Sequence, residues 1–181
     1  MRRQRRKMLQ RYLLWENDFT LTVNRITVMP PLRWVFATAS RLGNWSGWAL
    51  VLLLMLGMLG RRAVMPIVWM LLTAAIGIGL YWSIKHLAAR PRPGANCRGL
   101  RLSEPPLDRF SFPSGHALHA VNFTLQILYF APRLGWIAIP LALLIMASRL
   151  VLGLHYLSDV VIGAVLGALL ATSSLALQVG L

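Results

Sequence analysis

Five stretches of this chain are too long and too free of charge to belong to a water-soluble fold: Leu42–Gly60, Ala63–Ile84, Ala117–Pro132, Leu134–Ser148 (continuing past Arg149) and Val160–Leu181. Each is near or above the length a helix needs to cross a bilayer. No water is present at that depth to pair free N–H and C=O groups, so such stretches must be helical. Composition agrees: 57% of the 181 residues are hydrophobic and only 13% are charged, against about a quarter charged in soluble domains. The expected fold is all-α, a multi-pass transmembrane helical bundle of five spans. The basic first ten residues are not followed by a short apolar core with a small-residue cleavage site, so no cleaved signal peptide is expected.

Residues 1–43 read differently from residues 44–181, which form the expected transmembrane domain. Arg2, Arg3, Arg5, Arg6, Lys7 and Arg11 make a basic arm suited to water or lipid headgroups. From Met8 to Ile26, Leu9, Leu13, Phe19, Val23 and Ile26 recur among Glu16, Asp18 and Arg25, the pattern of an amphipathic helix lying in the interface. Pro30-Pro31 ends it, and Leu32–Leu42 is a second short helical piece before a break at Gly43-Asn44. A sixth crossing, or a half-crossing, near Leu32–Leu42 is compatible with the pattern. Trp45 and Trp48 are expected as interfacial anchors. Gly77, Gly79 and the Gly163-x3-Gly167 pair are expected where helices approach closely, and Asn122 and Gln126 as hydrogen-bonders between helices.

The net charge is +14, from 19 basic and 5 acidic residues. In a soluble protein this would point to nucleic acid. Here the cations sit at span boundaries, where headgroups and topology explain them, so no nucleic-acid partner is expected. The single cysteine, Cys97, excludes an intrachain disulfide and a thiolate metal cluster. No protein partner can be inferred.

The remaining polar residues converge. Successive spans alternate in direction, so the end of the second, the start of the third, the end of the fourth and the start of the fifth share one membrane face. Those ends carry Lys85 and Arg92; Ser114, Gly115 and His116; Arg149 and His155; and Asp159. A charge at bilayer depth costs about 2.5–3.5 kcal/mol on insertion scales, so such a gathering serves a site. Three cations at one spot suit a multiply charged anion, with arginine's fork matching phosphate oxygens. Pro113-Ser114-Gly115-His116 opens a helix whose free N–H groups, next to a glycine, make an anion cradle. His155 and Asp159, spaced i, i+4 on a helix starting near Tyr156, would be in contact, leaving one imidazole nitrogen free to attack. Two histidines supply a nucleophile and a proton donor. Neither a Walker-type glycine loop nor a carboxylate cluster for Mg²⁺ is present. The expected reaction is metal-free and cofactor-free hydrolysis of a phosphoester or phosphoanhydride through a phosphohistidine.

These residues resemble a known family. Lys85-x6-Arg92-Pro93, then Pro113-Ser114-Gly115-His116, then Ser148-Arg149-x5-His155-x3-Asp159 resemble the three signature motifs of the type-2 phosphatidic acid phosphatases. These are membrane lipid phosphatases whose fold is shared with vanadium haloperoxidases. The resemblance covers the chain from about Trp45 to the end, and the second and third motifs are its specific part. It implies that His155 accepts the phosphate, that Asp159 orients it and that His116 protonates the leaving group. It further implies that Lys85, Arg92, Ser114, Gly115 and Arg149 bind the phosphate. The implied partner is a membrane phospholipid or polyprenyl phosphate. Bacterial undecaprenyl pyrophosphate phosphatases are most similar in kind, with phosphatidylglycerol phosphate, phosphatidic acid and lipid A as the other substrates.

Each residue also has a plainer reading. His155 with Asp159 could tie two helices together, and Lys85 and Arg92 could snorkel to headgroups. A non-catalytic lipid-phosphate binder or translocator could use the same cations. Arg90 offers a second register for the first motif but reads better as a headgroup contact. His86 and His119 read as interfacial or packing residues. The Arg61-Arg62 turn and Arg133 mark the opposite face as cytoplasmic, which places the site on the non-cytoplasmic face of the cell (inner) membrane. The basic N-terminal arm argues the other way.

Overall fold

The computed structural model describes the backbone of residues 2–179 and, apart from Arg2, Arg3, Leu9 and Val179, their side chains. Those arginines and Leu9 of the sequence pattern, with Gly180 and Leu181 of the fifth span, lie outside the described side chains and residues. Helix α1 (Arg2–Asn24) takes in the basic arm and runs through a 3-10 turn at Arg25–Val28 to α2 (Pro30–Leu42). Met29 is extended (φ −85°, ψ 110°), as the residue before a proline must be, and Pro30 occupies the first turn of α2. The proline pair therefore opens a helix as well as closing one.

The apolar chain then forms α3 (Ser46–Leu59) and α4 (Val64–Ala88), joined by a tight turn at Gly60–Ala63 where Gly60 has φ 57°. A one-turn helix α5 (Pro93–Asn96) lies in the polar loop that leads to α6 (Gly115–Phe130). A turn at Pro132–Leu134 leads to α7 (Gly135–Val151), and α8 (Leu157–Val179) closes the chain. Among the described residues three stretches are long and apolar enough to cross a membrane: Ser46–Ala88, Pro132–Val151 and Leu157–Gln178. The first is 43 residues, about twice the ~20 that one crossing needs, and the Gly60 turn divides it. By length alone α6, with 16 residues, and α2, with 13, fall short.

Helix α6 is central, packed against α8, α7 and α4. Its approach to α8 is backbone on backbone: a Cβ on Gly163 would lie 2.4 Å from the Ser114 carbonyl oxygen, and one on Gly167 2.2 Å from that of Leu118. The small-residue face expected on α8 is thus its seam with α6. Gly77 is similarly close to Leu118 at 2.7 Å, but a Cβ on Gly79 would meet nothing within 4 Å, so Gly79 makes no close approach. In the core Gln126 Nε2 donates to Thr73 Oγ1 (3.1 Å) and to Asn122 Oδ1, and Ser174 Oγ donates to Gln126 Oε1 (3.2 Å). These bonds tie α4, α6 and α8 together at a depth where an unpaired amide would be costly. Trp48 is fully buried and stacked on Phe123 rather than anchored at an interface. Large apolar side chains such as Leu53, Ile76, Trp136 and Leu169 face outward, as a lipid-bathed surface requires.

The inner face of α1 departs from the sequence expectation. Its buried stripe is polar, made of Glu16, Thr20, Asn24 and then Thr27 of the following turn, while Met8, Tyr12, Leu13, Leu14 and Trp15 are exposed. The helix turns polar groups toward the bundle and apolar ones away from it.

Candidate active site

The end of α4, the start of α6, the end of α7 and the turn before α8 enclose a cleft of about 470 Å³, completed by the α2–α3 corner. Lys85, Arg92, Gly115, His116, Arg149 and His155 line it together. Six of the eight residues expected from the sequence therefore share one cavity, although they span 71 positions from Lys85 to His155. Ser114 and Asp159 are fully buried just behind its wall.

The start of α6 is built as its sequence implies. Ser114 caps the helix, its Oγ accepting from Ala117 N (3.4 Å), and its own N–H donates to Asp159 O (2.9 Å). A Cβ on Gly115 would press on the Tyr81 ring at 3.1 Å, so any side chain here would have to push that ring aside. His116 projects from the first turn, and its Nε2 donates to Asn44 Oδ1 (2.7 Å).

His155 lies in the turn between α7 and α8, outside both helices. Gly153 makes the turn with φ 69°, and the N–H groups of Leu154 and His155 both donate to Arg149 O (3.1 Å each). Asp159 is not an i, i+4 partner on a shared helix, because α8 begins only at Leu157. It folds back as a cap, Oδ2 accepting from Tyr156 N (2.9 Å), and this brings Oδ2 to 3.6 Å from His155 Nδ1. That is longer than a hydrogen bond, and Nδ1 has no other partner among the described residues. The other nitrogen, Nε2, faces Arg92 Nη1 at 3.4 Å. Burial, and then the charges of Arg149, Arg92 and Lys85, push the His155 pKa well below the ordinary 6.5, which favours the neutral imidazole.

The cations are held by neighbours that were not apparent from spacing. Arg149 Nη1 donates to Ser40 Oγ of α2 (2.5 Å), and Arg92 Nη1 to Leu154 O (2.7 Å). Asp108, in the loop before α6, binds both Lys85 (2.5 Å to Nζ) and Arg92 (2.8 Å to Nη2). Burial alone would raise its pKa, but the Lys85 and Arg92 charges overcome this and hold the carboxyl below its ordinary 3.8. Asp108 thus occupies, with its two oxygens, the place of an anion between these cations. Asn44 and Asp108 were missed because a single Asn beside a Gly reads as a break and a lone Asp in a polar loop as a solvated charge.

Arg90 is a correction. It is not a headgroup contact: its guanidinium bridges Asp159 (2.7 Å) and Glu16 (2.6 Å) and lies over the Tyr156 ring at 4.1 Å. Arg92, not Arg90, lines the cleft, as the first-motif register implies. His86 packs on Trp82 with ring centroids 4.0 Å apart. His119 is buried among Trp45, Tyr81 and Phe123, one turn deeper than His116 along α6. With Trp45, Ile78, Tyr81 and Trp82 it makes the apolar side of the cleft.

Three cations and three histidines line one cleft at the end of this helical bundle, a setting whose charge suits an oxyanion. The family comparison gives it a place: the PAP2 superfamily model matches residues 63–180, and the chain belongs to that superfamily. Over 95 residues it is 33% identical to an undecaprenyl-diphosphatase of Sulfolobus acidocaldarius; the match covers 52% of this chain and 46% of that protein. The chain thus aligns with about half the length of that relative. Two crystal structures share the fold at 24% identity. One is the first transmembrane PAP2 type phosphatidylglycerolphosphate phosphatase from Bacillus subtilis, with TM-score 0.72 over 94% of this chain and 87% of that one. The other is Aquifex aeolicus LpxE, with TM-score 0.71 over 88% of this chain and 93% of that one.

Proposed function

We propose that this chain is a membrane lipid phosphatase that removes a phosphate from a lipid phosphomonoester or pyrophosphate through a phosphohistidine at His155. The observation that carries this reading is the placement of His155, whose Nε2 faces Arg92 in a cleft that also presents Lys85, Arg149 and His116. In this reading Nε2 attacks phosphorus as the bond to the lipid oxygen breaks. His116 gives that oxygen its proton, and Asp159 supports the positive charge that grows on the His155 ring. Lys85, Arg92 and Arg149, with the first N–H groups of α6 at Gly115 and His116, hold the non-bridging oxygens. Water then cleaves the N–P bond, with His116 taking its proton, and free phosphate leaves. Asp108 is the group the phosphate displaces.

Undecaprenyl pyrophosphate is the favoured substrate, supported by the name of the Sulfolobus relative. Phosphatidylglycerol phosphate, phosphatidic acid and lipid A are the alternatives, the first supported by the name of the Bacillus neighbour. The lipid chain would leave along the apolar side of the cleft, past Trp45, Ile78 and Trp82. Five crossings (α3, α4, α6, α7 and α8) and an interfacial α1–α2 unit of residues 1–43 are the topology we infer, with the cleft on the non-cytoplasmic face.

Phosphate release from these four lipids by purified wild type and His155→Ala, in chelator, tests the function. Turnover that persists in chelator, is inhibited by vanadate and is lost in the variant is expected. Binding without turnover, or turnover that survives His155→Ala, would replace this reading with that of a lipid-phosphate binder or translocator.

A further inference from the structure

Glu16 has no part in the reaction as derived, yet it is completely buried. An ionised carboxylate loses several kcal/mol of hydration on burial and keeps its place only when fully partnered. Its partners all belong to the catalytic end of the bundle. Oε1 accepts from the N–H (2.9 Å) and Oγ (2.6 Å) of Ser158 in the first turn of α8, and Oε2 accepts from Arg90 Nη2 (2.6 Å). The other arm of Arg90, Nη1, donates to Asp159 Oδ1 and to Ser158 Oγ, both at 2.7 Å. Two turns further along α1, Asn24 Nδ2 donates to Val151 O (2.8 Å), at the end of α7. The helix therefore grips both sides of the turn that carries His155.

We infer that Glu16 is a positioning residue for the His155–Asp159 pair, acting through Arg90, so that α1 is a working wall of the active site. The electrostatics give the reason. Arg90 divides its charge between two carboxylates, and the trio keeps one net negative charge. Without Glu16 the guanidinium would neutralise Asp159 alone, just where a negative charge is needed opposite the His155 ring as phosphorus bonds to its other nitrogen. Glu16 also fixes Ser158, and with it the first turn of α8 from which Asp159 folds back. This inference rests on the phosphatase reading.

The test is steady-state kinetics of the full chain in detergent with a lipid phosphate, comparing wild type, Glu16→Gln, Arg90→Met, the double variant and Thr20→Ala. Thr20 is a buried neighbour on the same face whose hydroxyl, among the described residues, bonds only to the Glu16 backbone carbonyl. Glu16→Gln is expected to lower kcat by about 10- to 100-fold, in the range for groups that orient a reacting residue, with KM within about twofold. Inhibition by vanadate should weaken in parallel. In the Arg90→Met background the same change should matter by less than about threefold, because the charge it balances is gone. If the single Glu16 variant, in which one arm of Arg90 loses its partner, does not fold, the kcat ratio of the double variant to Arg90→Met still reads the test, a ratio beyond about threefold overturning the inference. Thr20→Ala should keep wild-type kcat. An unchanged kcat in Glu16→Gln, an effect confined to KM, an undiminished effect in the Arg90→Met background, or an equal loss in Thr20→Ala would overturn the inference. With an active wild type those outcomes leave the phosphatase reading standing; a wild type that releases no phosphate removes both.

Discussion

His155 is a buried imidazole surrounded by cations, and its chemistry follows from that. Its low pKa keeps a lone pair available at neutral pH, whereas in the unfolded chain the same ring titrates near the ordinary 6.5. The unfolded state therefore binds the proton, so this residue's contribution to stability is complete above about pH 6.5 and declines as the pH falls below it, by up to about 1.4 kcal/mol per pH unit. Thermal midpoints of wild type and His155→Gln from pH 7.5 to 5 should diverge on the acid side, with wild type falling faster; parallel curves would show that the ring is not held neutral. Asp108 has the opposite character, a carboxylate paired with Lys85 and Arg92 where the proposed reaction puts phosphate. Asp108→Asn should free Lys85 and Arg92 and lower KM by about 3- to 10-fold, the effect of relieving one ion-pair competition of 1 kcal/mol or so. A higher KM would mean that Asp108 builds the site rather than guarding it. His155, His116 and Arg149 were legible in the sequence because ionisable residues are rare beside apolar runs. Asp108 and Glu16 were not, since nothing in a solvated-looking loop or an amphipathic helix distinguishes a buried acid from an exposed one.

The helices were legible as elements, and the errors lay in which side faces what. The α8 glycines announced a close seam by their i, i+4 spacing, and the structure places that seam against the backbone of α6 beside Ser114. Gly163→Ala should therefore force the two helices apart and destabilise the protein by about 1–3 kcal/mol, the range for overpacking a tight contact. Gly79→Ala, where a methyl meets open space, should leave stability unchanged or raise it slightly by its helix propensity. Thermal unfolding in detergent checks both, and equal effects would contradict the seam. Helix α1 shows the limit of periodicity. Its apolar residues define a face, but period alone cannot say whether that face meets lipid or protein. Glu16, Thr20 and Asn24 answer it only once their partners in α7, α8 and the loop are seen.

At the scale of the whole molecule, alternation of the spans brings four helix ends to one side. The contact of α2 with α7, through Ser40 and Arg149, adds a fifth element that the sequence treated as peripheral. Sidedness is a separate question, decided by where cations flank short turns. A reporter fused after Leu181 should report the cytoplasm if the cleft faces outward, and an external signal would reverse the orientation. The central claim, that these ends close around a histidine that accepts phosphate, is tested most directly by trapping that bond. Wild-type protein mixed with a radiolabelled lipid phosphate, quenched in base and mapped by peptide should carry acid-labile, base-stable phosphate on the peptide containing His155, and His155→Ala should carry none. Label on His116, or rapid turnover with no labelled histidine at all, would contradict the account.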